Sequence, residues 1–417
     1  MAQLHVLLVN PPIYDFTAYD FWLRPYGMLR VAGQMRSVCR FTYFNFLVSE
    51  ARDSWGRGRF RDEIVAKPAH FRDLPRRYRR FGRPRQQFRD LLSAERFDAV
   101  LVQTGMTYWY QGVSEVINDV RELHAHSLIV LGGTYASLCS AHARSLGPDL
   151  VIKGDALQVL WDRLGIQPGK GPPLWEVAEL GVGVIKLTEG CPFRCTYCSV
   201  PVTRPEFVVR PAEDCVEELQ HLVRLGVRNV AFYDDALLYR AEEALIPFLR
   251  KAAPENISFH TPNALNARFI NSQIAELMAQ SAVRSFFLGL ESSSSDWLSG
   301  TGGKVRPREF VEAVSILRSA GAESISAYIM VGHPDSDPRQ VEETMQFAHD
   351  VGVRIMLAEF APIPGTADGA RSGSWADLEE PLAHNKTAFA IRRLGFDRVN
   401  QLKSMCRRLN ESLEKHG

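Results

Sequence analysis

Apolar residues along the chain alternate between two rhythms. Short continuous runs are followed by stretches in which apolar positions recur every three or four residues. The run at 4–9 stops at Asn10-Pro11-Pro12, where proline cannot continue a strand. Positions 27–36 then carry helical spacing. Further strand-like runs lie at 41–46, 97–102, 127–131 and 149–152, with an amphipathic helix at about 113–124. Strands alternating with helices predict a parallel sheet covered on both faces, the doubly wound class. Ligands of such sheets bind beyond the carboxyl ends of the strands, where this sequence has the turns of Gly105, Gly132-Gly133 and Gly154.

Between 51 and 96 the alternation breaks and arginine becomes dense, above all from Arg76 to Arg85. This insertion reads either as an anion-binding segment or as a solvated face whose arginines pair with carboxylates. The second is the ordinary fate of charge runs. A Pro- and Gly-rich linker spans 166–180. Beyond it the alternation is more regular, with strands at 182–187, 228–233, 257–260, 285–290, 325–331 and 354–359. Helices are expected near 212–225, 240–252, 272–280, 307–320 and 338–350. Six βα repeats predict a partial or complete parallel barrel whose chemistry gathers at the strands' carboxyl ends. The tail from Pro362 is irregular, then helical from about 385, and is expected to pack over the barrel mouth or its open edge. The domains are thus 1–165 with the insertion, the linker, a core over 181–361, and a tail over 362–417.

Composition narrows the class. The chain has 417 residues, is 46% hydrophobic and 23% charged, and carries a formal charge of +1. That balance gives no global attraction to nucleic acid or anionic lipid. No apolar run reaches the roughly 18–20 residues of a membrane span. The beginning, without a basic segment or cleavage site, reads as a buried strand rather than a signal peptide. A cytoplasmic protein is expected, and its seven cysteines suit a reducing compartment.

Three of those cysteines form the run Cys191-Pro-Phe-Arg-Cys195-Thr-Tyr-Cys198, directly after the first strand of the second half. Tetrahedral structural zinc takes four protein ligands, and iron–sulfur clusters usually take four thiolates. Three thiolates leave one corner open for something that is not protein. A distant fourth ligand, Cys215 or His221, would instead complete a zinc site. Cys39, Cys139 and Cys406 are scattered and form no pair.

The C-x₃-C-x₂-C spacing, with the aromatic Tyr197 before the last cysteine, resembles the radical S-adenosylmethionine (SAM) superfamily over about 181–359. The resemblance implies a partial (β/α)6 radical SAM barrel. It also implies a [4Fe-4S] cluster on Cys191, Cys195 and Cys198, with SAM chelating the open iron and cleaved to a 5′-deoxyadenosyl radical. On matching strand ends, Asp234 or Asp235 would approach the methionine amino group, Glu291 the ribose and the Gly332 region the adenine. The same carboxylates could instead cap helices. His333, before a proline in a tight turn, is a candidate general base or a structural histidine.

The first half resembles the Rossmann-like cobalamin-binding domain that precedes many radical SAM cores. The matching residues are the strand ending in Asn-Pro-Pro, the Gly132-Gly133 turn and Lys153-Gly154-Asp155. Cobalamin's nucleotide tail would approach the backbone at the Gly-Gly turn. The cobalt-ligating Asp-x-His-x-x-Gly motif is absent, so no cobalt ligand can be named, and a domain that keeps the fold without the cofactor is the rival reading. The implied function is cobalamin-dependent methyl transfer to a small-molecule or biosynthetic-intermediate substrate, fed by a reducing electron donor of flavodoxin or ferredoxin type. Radical rearrangement, cyclisation or deoxygenation without methyl transfer is one alternative, and a non-catalytic iron–sulfur redox sensor another.

Overall fold

Leu4–Asn10 (β1) is buried from His5 onward, as a central parallel strand must be. It pairs in parallel with both Cys39–Asn45 (β2) and Ala99–Thr104 (β3). Leu128–Gly133 (β4) and Leu150–Val151 (β5) complete a sheet in the order β5-β4-β3-β1-β2. This is the doubly wound order whose direction reverses between β1 and β3. Phe44, Phe46, Phe88, Phe97, Val100 and Val116 fill the core on one side of it. The computed structural model describes residues 3–178, 181–252, 256–374 and 376–416, which divide into two compact units.

The insertion is ordered. Ile13–Asp15, Tyr78–Phe81 and Asp62–Val65 form a three-stranded antiparallel sheet, and Ser49–Arg52 pairs with Gly58–Phe60. Several of its arginines are committed to carboxylates. Arg80, 3% exposed, meets Glu115 through Nε at 3.0 Å and Nη2 at 2.7 Å. Tyr14 donates to the same carboxylate at 2.7 Å. Arg85 grips both oxygens of Asp119 at 2.8 Å, and Arg89 bridges Asp119 and Glu122. These pairs fit the ion-paired reading for Arg80 and Arg85, although Arg80 is buried where a solvated face was expected. The described part of the linker is tied down too. Gly169 and Leu174 donate backbone hydrogen bonds to Gln34 and Leu29 of the helix Tyr26–Met35, and Trp175 is fully buried. Positions 179 and 180 lie outside the described residues.

The second unit is built on six parallel strands in chain order. They are Gly183–Ile185 (β6), Asn229–Phe232 (β7), Ser258–Leu265 (β8), Val283–Glu291 (β9), Ile325–Val331 (β10) and Arg354–Glu359 (β11). Helices intervene, as in an open (β/α)6 barrel. A short helix, Ser295–Gly300, was not expected from the pattern.

The tail, expected as one segment, divides. Asp377–Asn385 packs with the first unit, where His384 Nδ1 lies 2.9 Å from the Thr107 hydroxyl and Asn385 donates to Asp15 at 2.9 Å. The helix Phe396–His416 covers the edge strand β11 of the second unit. There Asn410 accepts from Ile355 N at 2.8 Å and donates to Ile355 O at 3.0 Å, occupying groups an open edge would leave bare. Among the described residues, no helix is long and apolar enough to cross a membrane.

Candidate active site

The cysteine loop leaves the carboxyl end of β6 through a two-residue bridge, Thr188–Glu189 with Val208–Val209. Gly190 makes the exit possible. Its φ is +73°, and a Cβ there would lie 2.0 Å from Glu206 O, so no other residue fits. The thiols of Cys191, Cys195 and Cys198 are free and half-buried. Burial raises the pKa of all three, that of Cys198 to about 12. Such thiols ionise only when a bound cation repays the desolvation.

A single tetrahedral ion would hold the sulfurs about 3.8 Å apart, from bonds of about 2.3 Å. Among the described residues these three are not a group whose ligand atoms all lie within 4.8 Å. Cys215 is buried in the helix Ala212–Arg224, its sulfur 3.6 Å from Lys186 O, where it serves packing.

Strand ends bring acids to the same edge. Asp234, after β7, is 2% exposed. Its Oδ1 accepts from Leu187 N at 2.9 Å, Thr188 N at 2.6 Å and Thr188 Oγ1 at 2.7 Å. Those bonds lock the end of β7 to the exit of β6. Its Oδ2 is buried and has no partner. Burial outweighs the hydrogen bonds and raises the Asp234 pKa to about 6. Asp235 instead pairs with Lys186 at 3.3 Å. Asp234 Oδ2 is thus a buried acceptor without a protein partner, and Asp235 uses Oδ2 on Lys186.

Glu291 ends β9, 9% exposed, with φ +64°, a backbone conformation a non-glycine residue holds only under constraint. Burial raises its pKa, and the ammonium of Lys304, 4.0 Å away, opposes the rise. Tyr197 stacks on Trp297 with ring centroids 6.0 Å apart. Gly332, φ +83°, follows β10 with its Cβ position against Ala390 at 3.2 Å.

His333 is not available as a general base. It is fully buried, and its Nδ1 accepts from Trp297 Nε1 at 3.0 Å and from Asp335 N at 3.1 Å. Its Nε2 therefore carries the proton and donates to Asp368 Oδ2 at 2.9 Å. Burial lowers its pKa, so it stays neutral. His260 is likewise held between Ser285 at 2.9 Å and Asn229 at 3.0 Å.

In the first unit the four glycines differ. Gly133, φ +113°, is required by its own fold, since a Cβ would lie 2.3 Å from Thr104 O. Gly132 has nothing within 4 Å of its Cβ position, so the carboxyl end of β4 offers a clear approach to the backbone. Gly154, φ +53°, donates its N–H to Ser137 Oγ at 3.0 Å, and Ser137 in turn donates to Gly133 O at 2.8 Å. Gly105 offers no such room, because the Trp109 ring comes within 3.0 Å of its Cβ position.

The sequence pattern did not reveal Thr196, Trp297, Lys304 or Asp368. Only Lys304 carried a signal, the Gly302-Gly303 pair before it.

Comparison with known proteins gives three kinds of match. Residues 185–348 match the model of the Radical SAM superfamily. The uncharacterized methyltransferase PH0819 of Pyrococcus horikoshii is 28% identical over 191 residues, 44% of this chain and 40% of the relative. Threonylcarbamoyladenosine tRNA methylthiotransferase MtaB of Thermotoga maritima is 24% identical over 284 residues, 63% of this chain and 65% of the relative. The chain thus spans about half the length of the curated relatives it matches. Among solved structures, the radical SAM methyltransferase TsrM from Kitasatospora setae superposes with a TM-score of 0.66 at 15% identity, over 89% of this chain and 76% of that one. At that identity the likeness is one of fold.

Proposed function

We propose that this chain, whose residues 185–348 match the model of the radical SAM superfamily, is a radical SAM enzyme, most specifically a cobalamin-dependent methyltransferase. The observation that carries the first part is the loop of three free thiols at the carboxyl end of β6, beside a buried aspartate with one unused oxygen. When bound, a [4Fe-4S] cluster supplies the electron that splits SAM into methionine and a 5′-deoxyadenosyl radical. Cys191, Cys195 and Cys198 hold that cluster. Asp234 Oδ2 accepts from the SAM ammonium, a charge-assisted bond that gives the orphaned oxygen its partner. Asp235, already paired with Lys186, keeps that lysine in place. On the resemblance, Glu291 would face the ribose hydroxyls and the turn at Gly332 would flank the adenine. Tyr197 and Trp297 wall the cysteine loop with aromatic surface and limit water near a reactive intermediate.

The methyl-transfer reading has separate support. TsrM has been solved with cobalamin and a [4Fe-4S] cluster bound, and PH0819 is described as a methyltransferase. In this chain Gly132, Gly133 and Gly154 form the joined turns at the carboxyl end of the first sheet, and Gly132 leaves the backbone accessible there. Those turns fit the nucleotide tail of cobalamin. Gly105, packed under Trp109, is a structural glycine. Cobalamin would carry the methyl group, the substrate would be a small molecule, and a flavodoxin or ferredoxin would supply electrons.

The experiment is anaerobic turnover with SAM and dithionite after reconstitution with iron, sulfide and cobalamin. Stoichiometric cobalamin, with S-adenosylhomocysteine formed beside 5′-deoxyadenosine, is the expected result. Cleavage to 5′-deoxyadenosine alone, by a protein that binds no cobalamin, would reject methyl transfer and keep the radical SAM reading.

A further inference from the structure

Lys304 is a cation that the packing of the second unit does not require. It closes the run Thr301-Gly302-Gly303-Lys304, which is pressed against the cysteine loop. Thr301 O accepts from Thr196 N at 3.2 Å. A Cβ on Gly302 would lie 3.1 Å from Cys195 Cα. Gly303 O is fixed by Arg268 Nη2 at 2.6 Å. The run is thus anchored at three successive residues, and the fourth is delivered to a defined place.

That place is beside β9. A Cβ on Gly289 would meet Lys304 Nζ at 2.8 Å and Glu291 Oε1 at 3.2 Å, so the glycine clears the space that the ammonium and carboxylate share. Nζ lies 4.0 Å from Oε1, too far for a hydrogen bond, and the lysine side chain is only 20% exposed. A methionine would fill the same space without the cost of desolvating a charge. Glu291 therefore does not account for the ammonium. The run that carries it packs on Cys195 and Thr196, so the ammonium is delivered from the cysteine loop's own neighbour.

Resting on the radical SAM reading, we propose that Lys304 is a positioning residue whose fixed charge stabilises the reduced state of the cluster held by Cys191, Cys195 and Cys198. Reduction adds one electron from a low-potential one-electron donor, here dithionite, with no bond broken and no proton required. Each added electron makes the cluster more negative by one charge. An ammonium fixed close by in a poorly hydrated site favours the more negative state, which raises the midpoint potential.

The test uses the full chain reconstituted with iron and sulfide, without SAM, in a dithionite titration followed by electron paramagnetic resonance. Lys304→Met should bind the same iron and sulfide as wild type, yet titrate at a more negative potential, with several-fold less reduced cluster at a fixed poise. Lys304→Arg should restore the wild-type curve. Equal midpoints in all three proteins would overturn the inference, and weaker SAM binding by Lys304→Met in a separate calorimetric titration would then assign Lys304 to the SAM carboxylate. Loss of iron from both Lys304→Met and Lys304→Gln would also overturn it, by making the lysine a requirement for cluster retention. Wild-type protein that binds no iron would instead refute the radical SAM reading itself.

Discussion

The imidazole Nε2 of His333 lies 2.9 Å from Oδ2 of Asp368, and the same oxygen accepts from the Thr196 hydroxyl at 2.6 Å. The Asp368 backbone N–H also donates to Thr196 O at 3.0 Å. Thr196 sits between two of the clustered cysteines, so the aspartate holds the loop from both sides. Asp368→Ala would strip acceptors from two buried donors, costing about 2–4 kcal/mol in stability. Asp368→Asn keeps one oxygen for His333 and Thr196 to share and loses only the acceptor for Arg371, so its stability cost should be smaller. Iron content per chain should fall in Asp368→Ala more than in Asp368→Asn, an order that thermal melts and iron assays can check.

Asp234 gives opposite effects on stability and binding. Its folded-state pKa is raised from 3.8 to about 6. Its contribution to stability is therefore fully present below pH 4 and lost as pH rises through about 6. Asp234→Asn keeps an oxygen for Leu187 and Thr188 but removes the buried charge. At pH 8 the variant should be more stable than wild type by on the order of 3 kcal/mol. Its amide would face the SAM ammonium donor to donor, so SAM affinity should fall at least tenfold. In wild type, SAM affinity should rise with pH through about 6, and isothermal titration across pH 5–8 reads this directly.

The buried ion pair of Arg80 with Glu115 secures the insertion to the first unit. Arg80→Ala leaves a carboxylate buried with only Tyr14 to satisfy it, and should cost about 3–5 kcal/mol. Denaturant unfolding measures this. A loss below about 1 kcal/mol would mean the pair behaves as a surface salt bridge.

Asn410 answers for the edge strand. Asn410→Ala frees one backbone N–H and one C=O of Ile355, and a loss of about 1–3 kcal/mol is expected. Asn410→Asp keeps the acceptor for Ile355 N but loses the donor, so it should fall between the two.

Both parallel sheets were legible because buried strands write themselves as apolar runs and their covering helices as 3.6-residue repeats. The Gly-Gly turn was legible at Gly133, where φ +113° demands glycine. What the pattern could not convey was side-chain commitment. His333 looks like a base in sequence and is consumed by three hydrogen bonds in the fold. Adjacent Asp234 and Asp235 read alike, yet one faces backbone donors and the other a lysine. Asp368 lies in a stretch without periodicity, and its meeting with Thr196 across 172 residues leaves no local trace. Gly105 looked like a cofactor turn only because the sequence does not show that Trp109 fills its space.

The central claim is that Cys191, Cys195 and Cys198 hold a SAM-cleaving iron–sulfur cluster. Its most direct measurement is 5′-deoxyadenosine formed from SAM under dithionite by anaerobically reconstituted wild type and Cys195→Ala. Wild type should carry about four irons per chain and form 5′-deoxyadenosine, whereas the variant should form none above background. Equal cleavage by the variant, or none by iron-loaded wild type, would contradict the account.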